Sequence, residues 1–352
     1  FIASMSGEGN LRVEENLGEG YVRLRVSEAE RRQAKHDIQH VEDIVIEMLR
    51  NARDAGADKV YLATTKEEGV RTLLFLDNGS GVPQDMQERI FDARVTSKLE
   101  SMKMDRWGVH GRGMALFSIK QNTDEARVVT SGVDLGSAFK VCVATDRLGE
   151  RADQSSWPQA VKDEDGHYVC ARGPHNIIRA ACEFALEELR SCDVYLGSPS
   201  EIAATLYAQA SSRLDTSRLL FIDDECELPV IDRLGLASDA EDFIRICSGL
   251  GLEMSERTAH RILSGQIKPV RGVSARLLRE RDSTSHAPAP VDLAKDRRGL
   301  RIAKDDMAQF SRAVERDFND LAARYYLNLC GDPKIRVSRD RITVTFDLAK
   351  EE

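Results

Sequence analysis

The sequence has 352 residues with 41% apolar and 31% charged content, which is enough for two or three domains with a sizeable core. Its formal net charge of −9 excludes a polycation, so any nucleic-acid contact would need a local basic patch. No apolar run is long enough for a transmembrane helix and no signal peptide is evident, and the odd number of scattered cysteines favours reduced thiols in a cytoplasmic protein over a disulfide framework.

Hydrophobic periodicity predicts alternating helices and strands in the N-terminal part of the chain. The expected elements are two short strands within 11–26, one long helix at 28–56, strands at 59–65 and 71–77, a short helix at 84–92, a Gly-rich loop and helix at 108–120, and strands at 127–132 and 137–145. The short turn between 59–65 and 71–77 favours antiparallel pairing. We therefore expect an α/β layer with a mixed or antiparallel sheet.

The pattern changes after the polar stretch 146–166. The expected elements there are helices at 174–190 and 199–213 with a strand between them, helical pieces over 239–282, a linker at 283–290, a long helix at 305–330, and an alternating strand or hairpin at 335–348. The linker is predicted from its composition, STSHAPAP. This part of the chain is thus expected to be mixed α/β and helical.

Three polar or Gly-rich motifs lie in order in the N-terminal part. They are Glu47-x3-Asn51-x2-Asp54 in a predicted helix, Asp77-x-Gly79-x-Gly81 at a strand end, and Gly108-x2-Gly111-x-Gly113 at the start of a helix. The spacing of the first motif places its three side chains on one side of the helix. The third motif offers backbone N–H groups and the positive end of a helix to a phosphate. Each motif alone is weak, whereas the three in order are a strong signal for a nucleotide site.

Together these motifs resemble the N, G1 and G2 boxes of the GHKL ATPases, the family of the gyrase B subunit, the heat-shock chaperone group, histidine kinases and MutL. The match is close over residues 40–131. The resemblance implies a Bergerat-type α/β sandwich in which helices cover one face of a mixed sheet. It also implies ATP and Mg²⁺ as cofactors, with the nucleotide between the helices and a flexible lid, here residues 92–110.

The resemblance implies a role for each matched residue. Asn51 would coordinate Mg²⁺, Glu47 would be the general base that activates water, and Asp77 would accept a hydrogen bond from the adenine amino group. The other implied nucleotide-binding residues are Asp54, Gly79, Gly81, Lys98, Gly108, Gly111, Arg112, Gly113 and Thr130. These roles agree with the chemistry, because Mg²⁺ needs few protein ligands and phosphoryl transfer depends mainly on positioning.

The motifs do not all resemble the same subfamily of the GHKL ATPases. The DAGA segment after Asn51 and the stretch VTSKL at 95–99 resemble MutL, whereas GVHGRGMAL is closer to kinases and to topoisomerase VI B subunits. A histidine-kinase alternative would use His36 or His40 as phosphate acceptor. Both histidines precede the first motif in the same predicted helix, too close for an acceptor hairpin.

A basic segment at 257–281 contains seven Lys or Arg and one acidic residue. The sequence MSERTAHRILSGQIKP resembles the recognition helix of helix-turn-helix repressors, with Ser255 as its expected N-cap. The preceding turn is too long for that motif and fits a helix-two-turns-helix module better. The candidate nucleic-acid contacts are Arg257, Arg261, Lys268 and Arg271. The alternatives are a solvated basic helix face that binds nothing and a face that contacts a protein partner.

We therefore predict four regions and a leading function. The regions are a GHKL ATP-binding domain at 1–150, an α/β extension at 151–235, a helical basic segment with linker at 236–290, and a C-terminal helix and strand at 291–352. The leading hypothesis is a Mg²⁺-dependent ATPase whose lid closure or dimerisation, with itself or a partner subunit, is coupled to duplex DNA. The alternatives are a nucleotide-switched, chaperone-like clamp that grips protein and a kinase-like phosphotransferase.

Overall fold

The protein is described by a computed structural model whose chain divides into two compact units, residues 1–284 and 285–352. The structure describes residues 13–97, 103–110, 113–151, 153–214, 222, 224–278, 304–322, 327–331, 333–337 and 342–350. The predicted linker at 283–290 lies outside the described residues. None of the helices in the described ranges is long and apolar enough to cross a membrane.

The first unit alternates strands and helices. Its strands are β1 (Val13–Gly18), β2 (Tyr21–Leu24), β3 (Lys59–Glu67), β4 (Val70–Asp77), β5 (Val95–Thr96), β6 (Lys103–Asp105), β7 (Gly108–His110), β8 (Glu125–Ser131), β9 (Ser137–Ala144), β10 (Gln159–Lys162), β11 (Tyr168–Arg172) and β12 (Asp193–Gly197). Its helices are α1 (Glu28–Asp37), α2 (Val41–Asp54), α3 (Ala115–Asn122), α4 (Ile177–Glu187), α5 (Pro199–Arg213), α6 (Ala240–Gly249) and α7 (Glu256–Leu263).

A five-stranded sheet with the order β12-β3-β4-β9-β8 forms the centre of this unit. Neighbouring strands are antiparallel except β12, which pairs in parallel with β3. The predicted mixed α/β fold is therefore confirmed. The predicted boundary at residue 150 falls inside the first unit, because the edge strand β12 comes from beyond it.

Helices pack on both faces of the sheet, since successive side chains of a strand point to opposite sides. On the first face, α2, α3 and α4 pack against side chains that include Val60 and Phe75. On the second face, α5, α6 and α7 pack against side chains that include Tyr61 and Leu74. The family resemblance implied one helical face only, and the second helical layer is supplied by residues beyond β12.

The single helix predicted over 28–56 is wrong, because α1 and α2 are separate helices. The Asp43 carboxylate accepts hydrogen bonds from the backbone N–H groups of Gln39 and His40, both at 2.8 Å. These bonds cap the start of α2 and end the continuous helical ladder. His40 thus serves as the N-cap of α2, and His36 is exposed on α1.

The predicted end of the helix at Gly56 is confirmed. Gly56 has a φ of +76° and donates its N–H to the Arg53 carbonyl at 2.8 Å, while Ala57 donates to the Ala52 carbonyl at 3.0 Å. This pair of bonds is the Schellman arrangement, which favours glycine at the left-handed position. It turns the chain sharply from α2 into β3.

Two short elements differ from their predictions. The short helix expected at 84–92 is two 3-10 turns, Gln84–Met86 and Arg89–Phe91. The polar region before α4 contains the antiparallel hairpin β10–β11, which the sequence did not indicate.

The described residues of the second unit form one helix and four short strands. They are α8 (Lys304–Ala322), β13 (Leu327–Leu329), β14 (Lys334–Val337), β15 (Ile342–Thr345) and β16 (Leu348–Lys350). β13 pairs with β16 and β14 with β15, both antiparallel. The expected hairpin is thus present, and its turn lies outside the described residues. Phe318 of α8 stacks on Phe346, with ring centroids 4.0 Å apart.

Candidate functional site

A cavity of about 530 Å³ lies on the first face of the sheet, beside α2 and the start of α3. The residues from the three motifs that line it are Glu47, Asn51, Asp54, Asp77, Gly81 and Gly113. Three segments that are far apart in sequence therefore contribute to one cavity. Helix α2 forms one wall, the end of β4 and its turn form the base, and the chain entering α3 forms the rim.

Asn51 presents an unsatisfied amide to this cavity. Its Nδ2 atom is buried and has no hydrogen-bond partner among the described residues. Within the described ranges no group of three His, Cys, Asp or Glu side chains could hold a metal by itself. Mg²⁺ takes few protein ligands and keeps several waters or phosphate oxygens. The Asn51 amide oxygen could hold a magnesium ion together with the phosphates of a ligand, whereas the unsatisfied Nδ2 is a donor that would face an acceptor on that ligand.

The two carboxylates of the first motif are held by arginines of the same helix. Glu47 Oε1 lies 2.7 Å from Arg50 Nη1, and Asp54 Oδ1 lies 3.0 Å from Arg53 Nε. Both arginines also contact Asp105 at the end of β6. Sequence reasoning missed these residues, although the Glu47–Arg50 spacing is one at which helix side chains pair.

The Asp77 turn is fixed by short backbone contacts. Asp77 is only 4% exposed, and its Oδ1 accepts the N–H of Gly79 at 2.8 Å. A Cβ on Gly79 would lie 2.9 Å from the Cβ of Ala55, so glycine lets α2 approach the turn closely. Asn78 Oδ1 accepts the N–H of Lys59 at 2.9 Å, which ties the turn to β3. The buried Asp77 carboxylate can thus accept a hydrogen bond from a planar base that enters the cavity.

Not every predicted residue is at this cavity. Lys98, Gly111 and Arg112 lie outside the described residues, and Gly79 and Gly108 border the site without lining the cavity.

Thr130 is not brought to the cavity either. Its hydroxyl accepts a hydrogen bond of 2.9 Å from Arg233 Nη1, a residue of the second-face layer. A break in the β8–β9 register between Val128 and Thr130 shifts the alternation of side chains. Ser131 instead lies on the cavity side, where its Oγ accepts the N–H of Val82 at 2.8 Å.

The basic candidates lie in the second-face layer of the same unit. Helix α7 begins after Ser255, whose hydroxyl accepts the Thr258 N–H at 3.4 Å, as predicted for the N-cap. The helix buries Ala259 and Ile262 against the second core, which leaves its opposite side in solvent. The exposed candidate residues are Arg257, Arg261, Lys268 and Arg271.

This combination of a mixed sheet, a carboxamide-bearing helix and a glycine turn beside one cavity is the arrangement that the resemblance to the GHKL ATPases implies. Residues 38–139 match the family described as "Histidine kinase-, DNA gyrase B-, and HSP90-like ATPase". This part of the chain is therefore similar to the ATP-binding domain of that family.

The chain is also similar to curated proteins named DNA mismatch repair protein MutL. It is 34% identical over 112 residues to the protein of Brucella abortus (strain S19), a match that covers 32% of this chain and 18% of that relative. It is 31% identical over 107 residues to the protein of Thermodesulfovibrio yellowstonii, covering 30% of this chain and 19% of that relative. The chain thus spans less than a fifth of the length of these relatives.

Proposed function

We propose that the protein is a Mg²⁺-dependent ATPase that closes over its nucleotide. The observation that carries this proposal is the convergence of Glu47, Asn51 and Asp77 on one cavity of about 530 Å³. The buried Asp77 carboxylate would accept a hydrogen bond from the adenine amino group, and Asn51, whose Nδ2 is unsatisfied, lies in the α2 wall of the same cavity. The family match supports ATP as the nucleotide.

In this proposal Glu47 is the general base. It lies one helical turn before Asn51 and lines the same cavity, where its carboxylate would activate an attacking water. Glu47 accepts the proton of that water, and Arg50 holds the carboxylate in place at 2.7 Å. Magnesium, when bound, would neutralise charge on the phosphates and would be held by Asn51.

The Gly-rich loop covers the phosphates in this scheme. Gly113 lines the cavity with a φ of +68°, and a Cβ there would come 3.0 Å from the Val95 carbonyl oxygen. The family resemblance assigns Gly108, Gly111, Arg112 and Lys98 to phosphate binding as well. Backbone N–H groups of such a loop suit phosphate oxygens.

The proposal includes coupling of the ATPase to duplex DNA. The matched relatives are named DNA mismatch repair proteins, and the second face carries exposed cations on an otherwise acidic chain. Arg257 and Arg261 lie on the solvent side of α7, where they can contact phosphates without reading bases. In this proposal a second copy of the chain or a partner subunit would join it to enclose the DNA.

Steady-state ATP turnover, with and without duplex DNA at low and at high salt, tests this function, and the Glu47→Ala variant is the blank. Salt-sensitive stimulation by DNA is expected. Turnover that depends on Glu47 but ignores DNA would assign the ATPase to a protein client, the chaperone-like alternative. Turnover equal to the blank together with absent ATP binding would overturn the proposed function.

A further inference from the structure

A buried ionic network links the cavity wall to the hairpin β6–β7. Its central members are Arg50, Arg53 and Asp105, whose side chains are only 3%, 8% and 6% exposed. Arg50 lines the cavity, whereas Asp105 does not. Asp105 stands at the end of β6, and Arg50 precedes it by 55 residues in the chain.

The geometry of Arg50 is two-sided. Its Nε lies 2.9 Å from Asp105 Oδ2 and its Nη2 lies 3.0 Å from Asp105 Oδ1, so one edge of the guanidinium forks onto the carboxylate. Its other edge donates from Nη1 to Glu47 Oε1 at 2.7 Å. A guanidinium is planar and rigid. Fixing one edge on Asp105 therefore fixes the direction from which Nη1 meets Glu47.

Asp105 is itself held from several directions. Its Oδ1 accepts the backbone N–H of Trp107 at 3.1 Å within the hairpin. Its Oδ2 also lies 3.1 Å from Arg53 Nη1. The same nitrogen lies 3.2 Å from Oε1 of Glu188, at the end of α4. The carboxylate is thus placed by the hairpin backbone and shared by two arginines of α2.

The hairpin leads directly into the Gly-rich loop. Arg50 Nη2 donates to the carbonyl of Gly108 at 3.0 Å, and Gly108 is the first residue of β7. One guanidinium therefore contacts the base candidate, the hairpin carboxylate and the start of β7. A change in the conformation of β6–β7 would therefore alter the support of Glu47.

We infer that Arg50 is a positioning residue for Glu47 and that Asp105 makes this positioning depend on the conformation of β6–β7. This inference rests on the proposed function, because it concerns the base of the ATPase reaction. A buried ion pair is often no more stabilising than an apolar pair of similar volume, so a contribution to stability does not explain this network. Positioning of Glu47 does explain it.

The test separates binding from turnover in the variants Arg50→Lys and Asp105→Asn. Lysine keeps the charge but cannot fork between two carboxylates, and asparagine keeps the shape of Asp105 without its charge. Both variants should lower kcat about 10-fold or more, because a misplaced catalytic group costs rate rather than affinity. Affinity for a non-hydrolysable ATP analogue, measured by calorimetry, should stay within about 3-fold of the wild type.

The matched control is Arg71→Lys. Arg71 is 9% exposed by side chain and pairs with Glu150 at 2.8 Å, but it does not line the cavity. This control should lower thermal stability without changing kcat per folded molecule. Arg50→Ala should also recover part of its kcat when guanidinium ion is added well below denaturing concentrations, since the ion can enter the vacated site from the cavity.

The outcomes are distinguishable. If Arg50→Lys and Asp105→Asn keep the wild-type kcat while Glu47→Ala loses it, the inference is overturned and the proposed function stands. If the wild type neither binds nor hydrolyses ATP, the proposed function fails and the inference fails with it. If Arg50→Lys does not fold, Asp105→Asn decides, because Asp105 does not line the cavity.

Discussion

Gly81 packs so closely on Gly132 that a Cβ on Gly81 would come 1.8 Å from the Gly132 carbonyl oxygen. Gly81 also has a φ of +69°, which L side chains rarely adopt. We expect Gly81→Ala to open the turn beneath the cavity and to lower the melting temperature strongly. Gly69→Ala is the control, because Gly69 has a φ of +81° with nothing within 4 Å of its Cβ position. Gly69→Ala should cost about 1–2 kcal/mol. Equal melting temperatures for the two variants would show that the Gly132 contact is unimportant.

Asn51→Ala should abolish binding of Mg²⁺-ATP, because the metal loses the one protein ligand assigned to it. Calorimetry with Mg²⁺ and a non-hydrolysable analogue measures this. Asn122→Ala is a matched control: Asn122 donates to the Ser118 carbonyl at 2.8 Å and does not line the cavity. Undiminished affinity in Asn51→Ala would remove the magnesium assignment.

Glu47→Ala should bind ATP but lower turnover by about 10²-fold or more, as expected for loss of a general base. Glu47→Gln keeps the volume and removes the charge, so it separates the chemistry from the packing of α2. Single-turnover hydrolysis of labelled ATP with excess protein gives the rate. Wild-type turnover in both variants would show that another group activates the water.

Removal of the exposed cations Arg257, Arg261 and Arg271 by alanine should abolish DNA binding and leave ATP binding intact. The salt dependence should flatten as well, since each phosphate contact contributes about one unit of slope in log affinity against log salt. Fluorescence anisotropy with a labelled duplex measures both effects. Arg172→Ala, an exposed arginine of β11, is the control. DNA binding unchanged by the triple substitution would leave these cations as a solvated face.

Cysteine reactivity should follow burial. Cys192 is buried, and burial raises the pKa of its thiol to about 12, so almost no thiolate exists at pH 8 in the folded protein. Cys330 is exposed. Because the thiolate is the nucleophile, iodoacetamide at pH 8 should modify Cys330 in the native protein and Cys192 only after unfolding. Peptide mass spectrometry gives the order, and early modification of Cys192 would contradict its burial.

The grouping of polar side chains on α2 and the glycine turn after Asp77 could be predicted, because both depend only on residues close together in the sequence. Helical periodicity places Glu47 and Asn51 on one side, and a glycine turn after a strand is a local signal. The partnership of Arg50 with Asp105 could not be predicted, because it joins residues 55 positions apart without a local pattern.

The placement of Thr130 shows a second limit. Strict alternation along a strand assigns each side chain to a face, but the irregular register between Val128 and Thr130 changes that assignment. The break between α1 and α2 was missed for a similar reason. The apolar period continues across it, and the cap formed by Asp43 interrupts the helix without interrupting the pattern.

The parallel strand β12 has a consequence for how the chain must be made. The ribosome completes β3 long before it reaches β12, so the outer edge of the growing sheet stays without its partner until residues 193–197 emerge. Over the same interval the second face, with Tyr61 and Leu74, is uncovered because its helices are still to be synthesised. A chain that ended at residue 150 would have an unpaired edge on β3 and an exposed apolar second face. We expect such a chain to aggregate. We therefore expect that the nucleotide site needs β12 and the second-face layer in the same chain in order to be expressed in folded form.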